Sequence, residues 1–114
     1  MTLDEAGKRF HISIKKLKSY EENGFLEHQT LSNGTYDYTE MNLRRIGLVD
    51  SLIKSGMSMD VLKKYLRLLE DKTASKEEQI RILRKQRYQL LDDIHDKQQT
   101  LDALDYMIRE IKNQ

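Results

Sequence analysis

The stretch Phe10-His11-Ile12-Ser13-Ile14-Lys15-Lys16-Leu17-Lys18-Ser19-Tyr20 decides how this chain is read. His11-Ile12-Ser13 interrupts a helical pattern that runs on both sides of it. Before the break, Leu3, Ala6 and Phe10 fall at i, i+3 and i+7, the spacing of one face of a short helix. After it, Ser13 is a favoured N-cap, and Ile14, Leu17 and Tyr20–Glu21 resume the period until Asn23-Gly24 stops it. Lys15, Lys16 and Lys18 fall on the other faces of this second helix. A lysine run on a helix is most often a solvated face and nothing more. Here the turn presents that helix outward, and its cap, Ser13, can itself meet a phosphate.

Downstream, Phe25-Leu26 leads through a polar stretch to Asn33-Gly34 and then Tyr36-Asp37-Tyr38. Asn-Gly between short β-prone pieces is a strong hairpin signal. Tyr38 is expected to pack inward and Tyr36 to reach a nucleic-acid backbone. Helix, tight turn, helix and hairpin are the plan of a winged helix-turn-helix. A second helix pair follows. Thr39 caps a helix with Leu43, Ile46, Val49, Leu52 and Ile53 on one side, ending at Ser55-Gly56. Ser58 caps the next, with Val61, Leu62, Tyr65, Leu66 and Leu69 as its apolar face. Arg44 and Arg45, early in the third helix, are further candidates for phosphate contact. Lys72-Thr73-Ala74 forms a short hinge.

From the capping-box form Ser75-Lys76-Glu77-Glu78 onward there is neither glycine nor proline. About 37 residues can therefore form one helix of roughly 55 Å at about 1.5 Å per residue. A heptad register places Ile80, Leu83, Arg87, Leu90, Ile94, Lys97, Leu101, Leu104, Ile108 and Ile111 at alternating a and d positions. The apolar members, Ile80, Leu83, Leu90, Ile94, Leu101, Leu104, Ile108 and Ile111, form the expected dimerisation seam. Such a seam needs a partner, most economically a second copy of the chain. The expected architecture is thus mostly α: a winged helix-turn-helix, a second helix pair and a long C-terminal coiled-coil dimerisation helix. Residues 1–71 are expected to form the DNA-binding domain and residues 72–114 the dimerisation helix.

Composition closes other routes. The 114 residues carry 20 Lys and Arg against 19 Asp and Glu, so positive surface must come from clustering on a face. There is no cysteine, which removes disulfides, thiolate metal sites and cysteine nucleophiles together. His11, His28 and His95 share no ligand spacing, and Met57 and Met59 read as packing residues. No phosphate-binding glycine loop and no nucleophile–base set occurs. We therefore expect no enzyme, no cofactor and no metal site. No apolar run or leader pattern points to a membrane, so the expected setting is the cytoplasm.

The residues resemble the MerR family of bacterial transcription regulators. The resemblance runs through Thr2-Leu3-Asp4-Glu5-Ala6, Phe10-His11-Ile12-Ser13, Leu17-Lys18-Ser19-Tyr20-Glu21 and Gly24-Phe25-Leu26. It continues in Asn33-Gly34-Thr35-Tyr36-Asp37-Tyr38, Thr39-Glu40, Asn42-Leu43-Arg44-Arg45-Ile46 and Gly56-Met57-Ser58-Met59. Even Leu101-Asp102-Ala103-Leu104-Asp105-Tyr106-Met107-Ile108 is similar to the dimer helix of short members. The order and spacing of these pieces carry the signal.

The resemblance implies a homodimer joined by an antiparallel coiled coil and bound to a palindromic element of double-stranded promoter DNA. The second helix of each subunit would enter the major groove, with Ser13, Lys15, Lys16, Lys18, Ser19 and Tyr20 as its contacts. The wing, with Tyr36, would grip the flanking backbone, and Arg44 would add a phosphate contact. Bending and untwisting of an overlong spacer would then align the promoter for RNA polymerase. The chain departs from the family pattern in three places. Lys18-Ser19-Tyr20 stands for the usual Arg-Tyr-Tyr, Gly34-Thr35-Tyr36 for Gly-Tyr-Arg, and His11 for a frequent glycine. Lysine keeps the charge but lacks the planar fork that reads guanine, so a different operator is expected. The metal and thiol sensors of the family use cysteines, and its drug sensors carry an added ligand domain, so this chain resembles a short form. The alternative is a DNA-bending accessory factor, or a coiled-coil heterodimerisation partner of a longer regulator.

Overall fold

The computed structural model describes residues 1–114. Five helices and one two-stranded hairpin follow in the order α1 (Leu3–Phe10), α2 (Ile14–Glu22), β1 (Gln29–Thr30), β2 (Tyr36–Asp37), α3 (Glu40–Lys54), α4 (Met59–Glu70) and α5 (Lys76–Lys112). The chain divides into two compact units, Met1–Lys72 and Thr73–Gln114.

Each helix of the first unit begins at a side-chain cap. Thr2 and Glu5 form a capping box at α1, and Thr39 and Asn42 form one at α3. Ser13 accepts from Lys16 N at 3.1 Å, and Ser58 from Val61 N at 3.3 Å. Each such cap supplies one of the orphan amides of the first turn with an acceptor, worth about 1 kcal/mol. The ends are equally explicit. At α2, Gly24 (φ 78°) lets Phe25 N reach Tyr20 O at 2.9 Å, and at α3 Gly56 (φ 87°) lets Met57 N reach Leu52 O at 3.2 Å. Both are left-handed stops of the Schellman type, and each delivers an apolar residue, Phe25 or Met57, into the core.

The turn between α1 and α2 rests on two unusual positions. His11 takes the left-handed conformation (φ 54°, ψ 42°), the one residue other than glycine to do so, and Ile12 N bonds back to Gly7 O at 3.0 Å. Histidine tolerates this region better than bulky or branched residues do. Gly7 is buried, and a Cβ placed on it would lie 2.9 Å from Ile12 O. In most helices, replacing an interior glycine by alanine stabilises by about 0.5–1 kcal/mol. Gly7→Ala should instead destabilise by about 1–3 kcal/mol, because the clash is with backbone and the turn must shift. A urea midpoint at or above that of the wild type would show that the turn yields.

The core of the unit is built from Ala6, Ile12, Leu17, Tyr20, Phe25, Leu26, Tyr38, Ile46, Val49, Leu52, Met57, Leu62, Tyr65 and Leu66, all buried. The apolar stripes read on α1, α2 and α3 supply Ala6, Leu17, Tyr20, Ile46, Val49 and Leu52, and the connecting segments supply Ile12, Phe25, Leu26, Tyr38 and Met57. On α4 the buried stripe is Leu62, Tyr65 and Leu66, while Val61 and Leu69 are each 38% exposed.

The wing is small. β1 and β2 pair antiparallel, Gln29 with Asp37 and Thr30 with Tyr36. Leu31 N bonds to Thr35 O at 2.9 Å, which closes a three-residue loop of Ser32, Asn33 and Gly34. Of the Asn33-Gly34 pair only Gly34 (φ 83°) is left-handed. A two-residue type I′ turn needs positive φ at both positions, so the loop is the longer form with glycine last. The other end of the wing is tied to the start of the chain. Tyr38 N bonds to Met1 O at 2.7 Å, and the Met1 amine meets Asp37 Oδ1 at 2.9 Å.

The second unit is one helix. Ser75 caps α5 by accepting from Glu78 N at 3.4 Å, while the Glu78 carboxylate reaches forward to Arg81 Nη2 at 2.6 Å. From there α5 runs unbroken for 37 residues. The eight apolar seam residues lie along it between 37% (Leu83, Leu90) and 68% (Ile111) exposed.

Candidate nucleic-acid interface

The apolar side of α2 is only partly buried, since Ile14, in its first turn, is 40% exposed. Leu17 and Tyr20 point into the core, and Ser13, Lys15, Lys16, Lys18 and Ser19 are all exposed. The lysines make no ion pair within the chain. Three adjacent ammonium groups with no carboxylate partner leave a local positive potential on this face, whatever the near-zero net charge. The N-terminus of α2 points the same sign of charge outward, because Ser13 satisfies only one of its first amides. Arg44, at the start of α3, is exposed and pairs only with Glu40 one turn away at 3.5 Å. A pair so open to solvent contributes little and can be exchanged for a phosphate.

Tyr20 is a correction to the sequence expectation. Its ring is 4% exposed, and its hydroxyl donates to Asp50 Oδ1 at 3.4 Å inside the unit. Asp50 is itself buried and is held on its other oxygen by Lys54 Nζ at 2.7 Å. Burial first, and the Asp50 charge second, push the Tyr20 phenol up to about 12, so it remains a protonated donor. The i+3 step from Leu17 carries Tyr20 to the inner side of α2, and it offers nothing to a groove. Tyr20→Phe should cost about 0.5–1.5 kcal/mol of stability and leave operator affinity within about twofold. A large affinity loss at unchanged stability would return the hydroxyl to the DNA side. Arg45 is also drawn inward: Nε donates to Phe25 O at 3.2 Å and Nη2 meets Glu70 Oε1 at 3.2 Å. It straps α3 to the end of α2 and to α4.

Tyr36 is half-buried on the wing, and one ring face is stacked on His28, with centroids 3.6 Å apart and planes 13° off parallel. His28 Nδ1 lies 2.5 Å from Glu21 Oε1. The same oxygen accepts from the Tyr38 hydroxyl at 3.1 Å. Burial, then the Glu21 charge, raise the Tyr38 phenol well above its ordinary value. This cluster was not read from the sequence. Its members come from α2, the approach to β1, and β2 with the residue after it, and no spacing announces that they meet.

A helix-turn-helix with an open basic second helix and a hairpin wing defines a winged helix-turn-helix DNA-binding protein. The family model described as MerR HTH family regulatory protein matches residues 1–69, and the chain belongs to that family. It is accordingly a DNA-binding transcription regulator and not an enzyme. Solved structures agree in fold. A Listeria monocytogenes protein assigned to the MerR family of transcriptional regulators is 27% identical, with a TM-score of 0.81 over 95% of this chain and 83% of that one. HiNmlR, described as a MerR family regulator lacking the sensor domain, bound to promoter DNA, is 24% identical, with a TM-score of 0.77 over 94% and 86%. A MerR family transcriptional regulator from Bacillus thuringiensis is 19% identical, with a TM-score of 0.84 over 96% and 97%. Comparison with curated protein sequences gives no significant match.

Proposed function

We propose that this chain is a sequence-specific regulator that binds a palindromic promoter element as a homodimer and distorts the spacer to change how RNA polymerase engages it. The observation that carries the reading is the unpaired basic face of α2, Lys15, Lys16 and Lys18 with Ser13 and Ser19, on the second helix of a helix-turn-helix. Ser13, Lys15, Lys16, Lys18, Ser19 and Arg44 are the proposed contacts from the helices, and Tyr36 from the wing. Residues 1–71 act as the DNA-binding domain and residues 72–114 as the dimerisation helix, paired antiparallel with its copy. The DNA complex of HiNmlR, a family member described as lacking the sensor domain, supports promoter DNA as the partner. No helix is long and apolar enough to cross a membrane, in keeping with action in the cytoplasm.

The test is a gel-shift titration against DNA upstream of the chain's own gene, at two salt concentrations and with random competitor DNA. Saturable binding that survives the competitor and weakens with salt supports the reading. Binding no better than to random DNA would favour an accessory or heterodimerising role.

A further inference from the structure

We propose that His28 is a positioning residue for DNA binding, which fixes the wing to the recognition helix by joining Glu21 to Tyr36. The inference rests on the DNA-binding reading above and deepens it. Glu21 sits in the last turn of α2 with its side chain only 12% exposed. A carboxylate so withdrawn from water needs donors, and it has two on one oxygen: the Tyr38 hydroxyl and His28 Nδ1. Because a carboxylate only accepts, Nδ1 must carry a proton in this contact. The opposite duty of the imidazole is aromatic. Its face covers Tyr36, the β2 residue paired with Thr30, and its edge meets the Tyr38 ring with centroids 6.3 Å apart.

Few other contacts could do this work. Each strand of the wing has two residues, so the hairpin's own ladder is too short to hold its angle. Asp37 is held from the other side by the Met1 amine, which ties the wing to the start of α1 and not to α2. The tie between wing and recognition helix therefore runs through Glu21, Tyr38 and His28, and His28 alone among them grips both Glu21 and Tyr36. Its loss should release Tyr36 and the β1 side of the hairpin, with Tyr38 still held on Glu21, while α2 keeps its place in the core through Leu17 and Tyr20.

Hydroxyl-radical footprinting of the full chain on its own upstream DNA separates these roles. Wild-type protein should protect both the groove met by α2 and the flank met by the wing. Trimming that flank should weaken its binding by roughly fivefold, the scale of a few lost backbone contacts. His28→Ala should keep the half-site protection, lose the flank protection and become insensitive to trimming. His28→Asn retains a donor for Glu21 without the aromatic face, and should fold and give intermediate flank protection. The inference is overturned if either variant protects the flank like wild type. It is also overturned if wild type never protects a flank, or if half-site and flank fade together in His28→Asn, which would make the residue merely structural. If wild-type protein protects no site at all, the DNA-binding reading itself fails, a result distinct from the others.

Discussion

A chain with Lys15, Lys16 and Lys18 all replaced by alanine is expected to bind its operator about a hundredfold more weakly, or worse. The slope of log affinity against log salt should also become shallower. The three side chains are exposed and lack partners within the chain, so their loss removes no contact that holds the fold. If two of the three meet phosphates in each protomer, four condensed counterions are no longer released, and the salt slope should fall by roughly 3.6, at about 0.9 per contact. Thermal unfolding should be nearly unchanged, because surface lysine substitutions usually stay within about 0.5 kcal/mol. An unchanged salt slope would remove this face from the interface altogether. Among the single variants, Lys18→Ala carries separate information. A relaxed preference at one base pair would mark a base reader, and uniform weakening a phosphate contact.

The second large effect lies in α5. In the proposed homodimer, Leu101→Glu combined with Leu104→Glu should convert the protein to monomers and raise the dimer dissociation constant at least a thousandfold. Both leucines are about half exposed on the single chain, at 50% and 52%, so the monomer loses little. In an antiparallel pair each substitution occurs twice. Four leucine side chains would leave the seam, at about 1.5–3 kcal/mol each, and four carboxylates would enter it. Sedimentation equilibrium reads the result directly. Operator affinity should fall with it if, as proposed, each monomer engages one half-site. A double variant that still sediments as a dimer would show that the copies meet through another surface.

How much of this was legible beforehand follows from the range of each interaction. The helix starts at Ser13, Thr39, Ser58 and Ser75 and the stops at Gly24 and Gly56 are local chemistry, decided within a few residues, and each falls where its residue type predicts. The basic face of α2 was legible for the same reason, because a helical period assigns sides. Tyr20 marks the limit. Periodicity placed its ring on the apolar side with Leu17, whereas the resemblance put it among the DNA contacts; where the hydroxyl goes is decided by Asp50, 30 residues away. Arg45 went the same way, bound by Phe25 and Glu70 from other elements. The Glu21–His28–Tyr36–Tyr38 cluster was invisible because its members converge only once the wing folds back on α2. Local signals set the elements, and long-range polar pairs decide which side chains remain available.

The brevity of the wing has a kinetic consequence. With strands of two residues, its amides have few ladder bonds to break before they meet solvent. Amide hydrogen exchange should therefore find Thr30 to Tyr36 opening at little free-energy cost, while Leu17 and Ile46 in the core exchange only through global unfolding. On DNA that segment would become slow to exchange, and its ordering would be charged against the binding free energy. Substitutions that stiffen the hairpin in advance should consequently lengthen the residence time on DNA more than they raise the melting temperature.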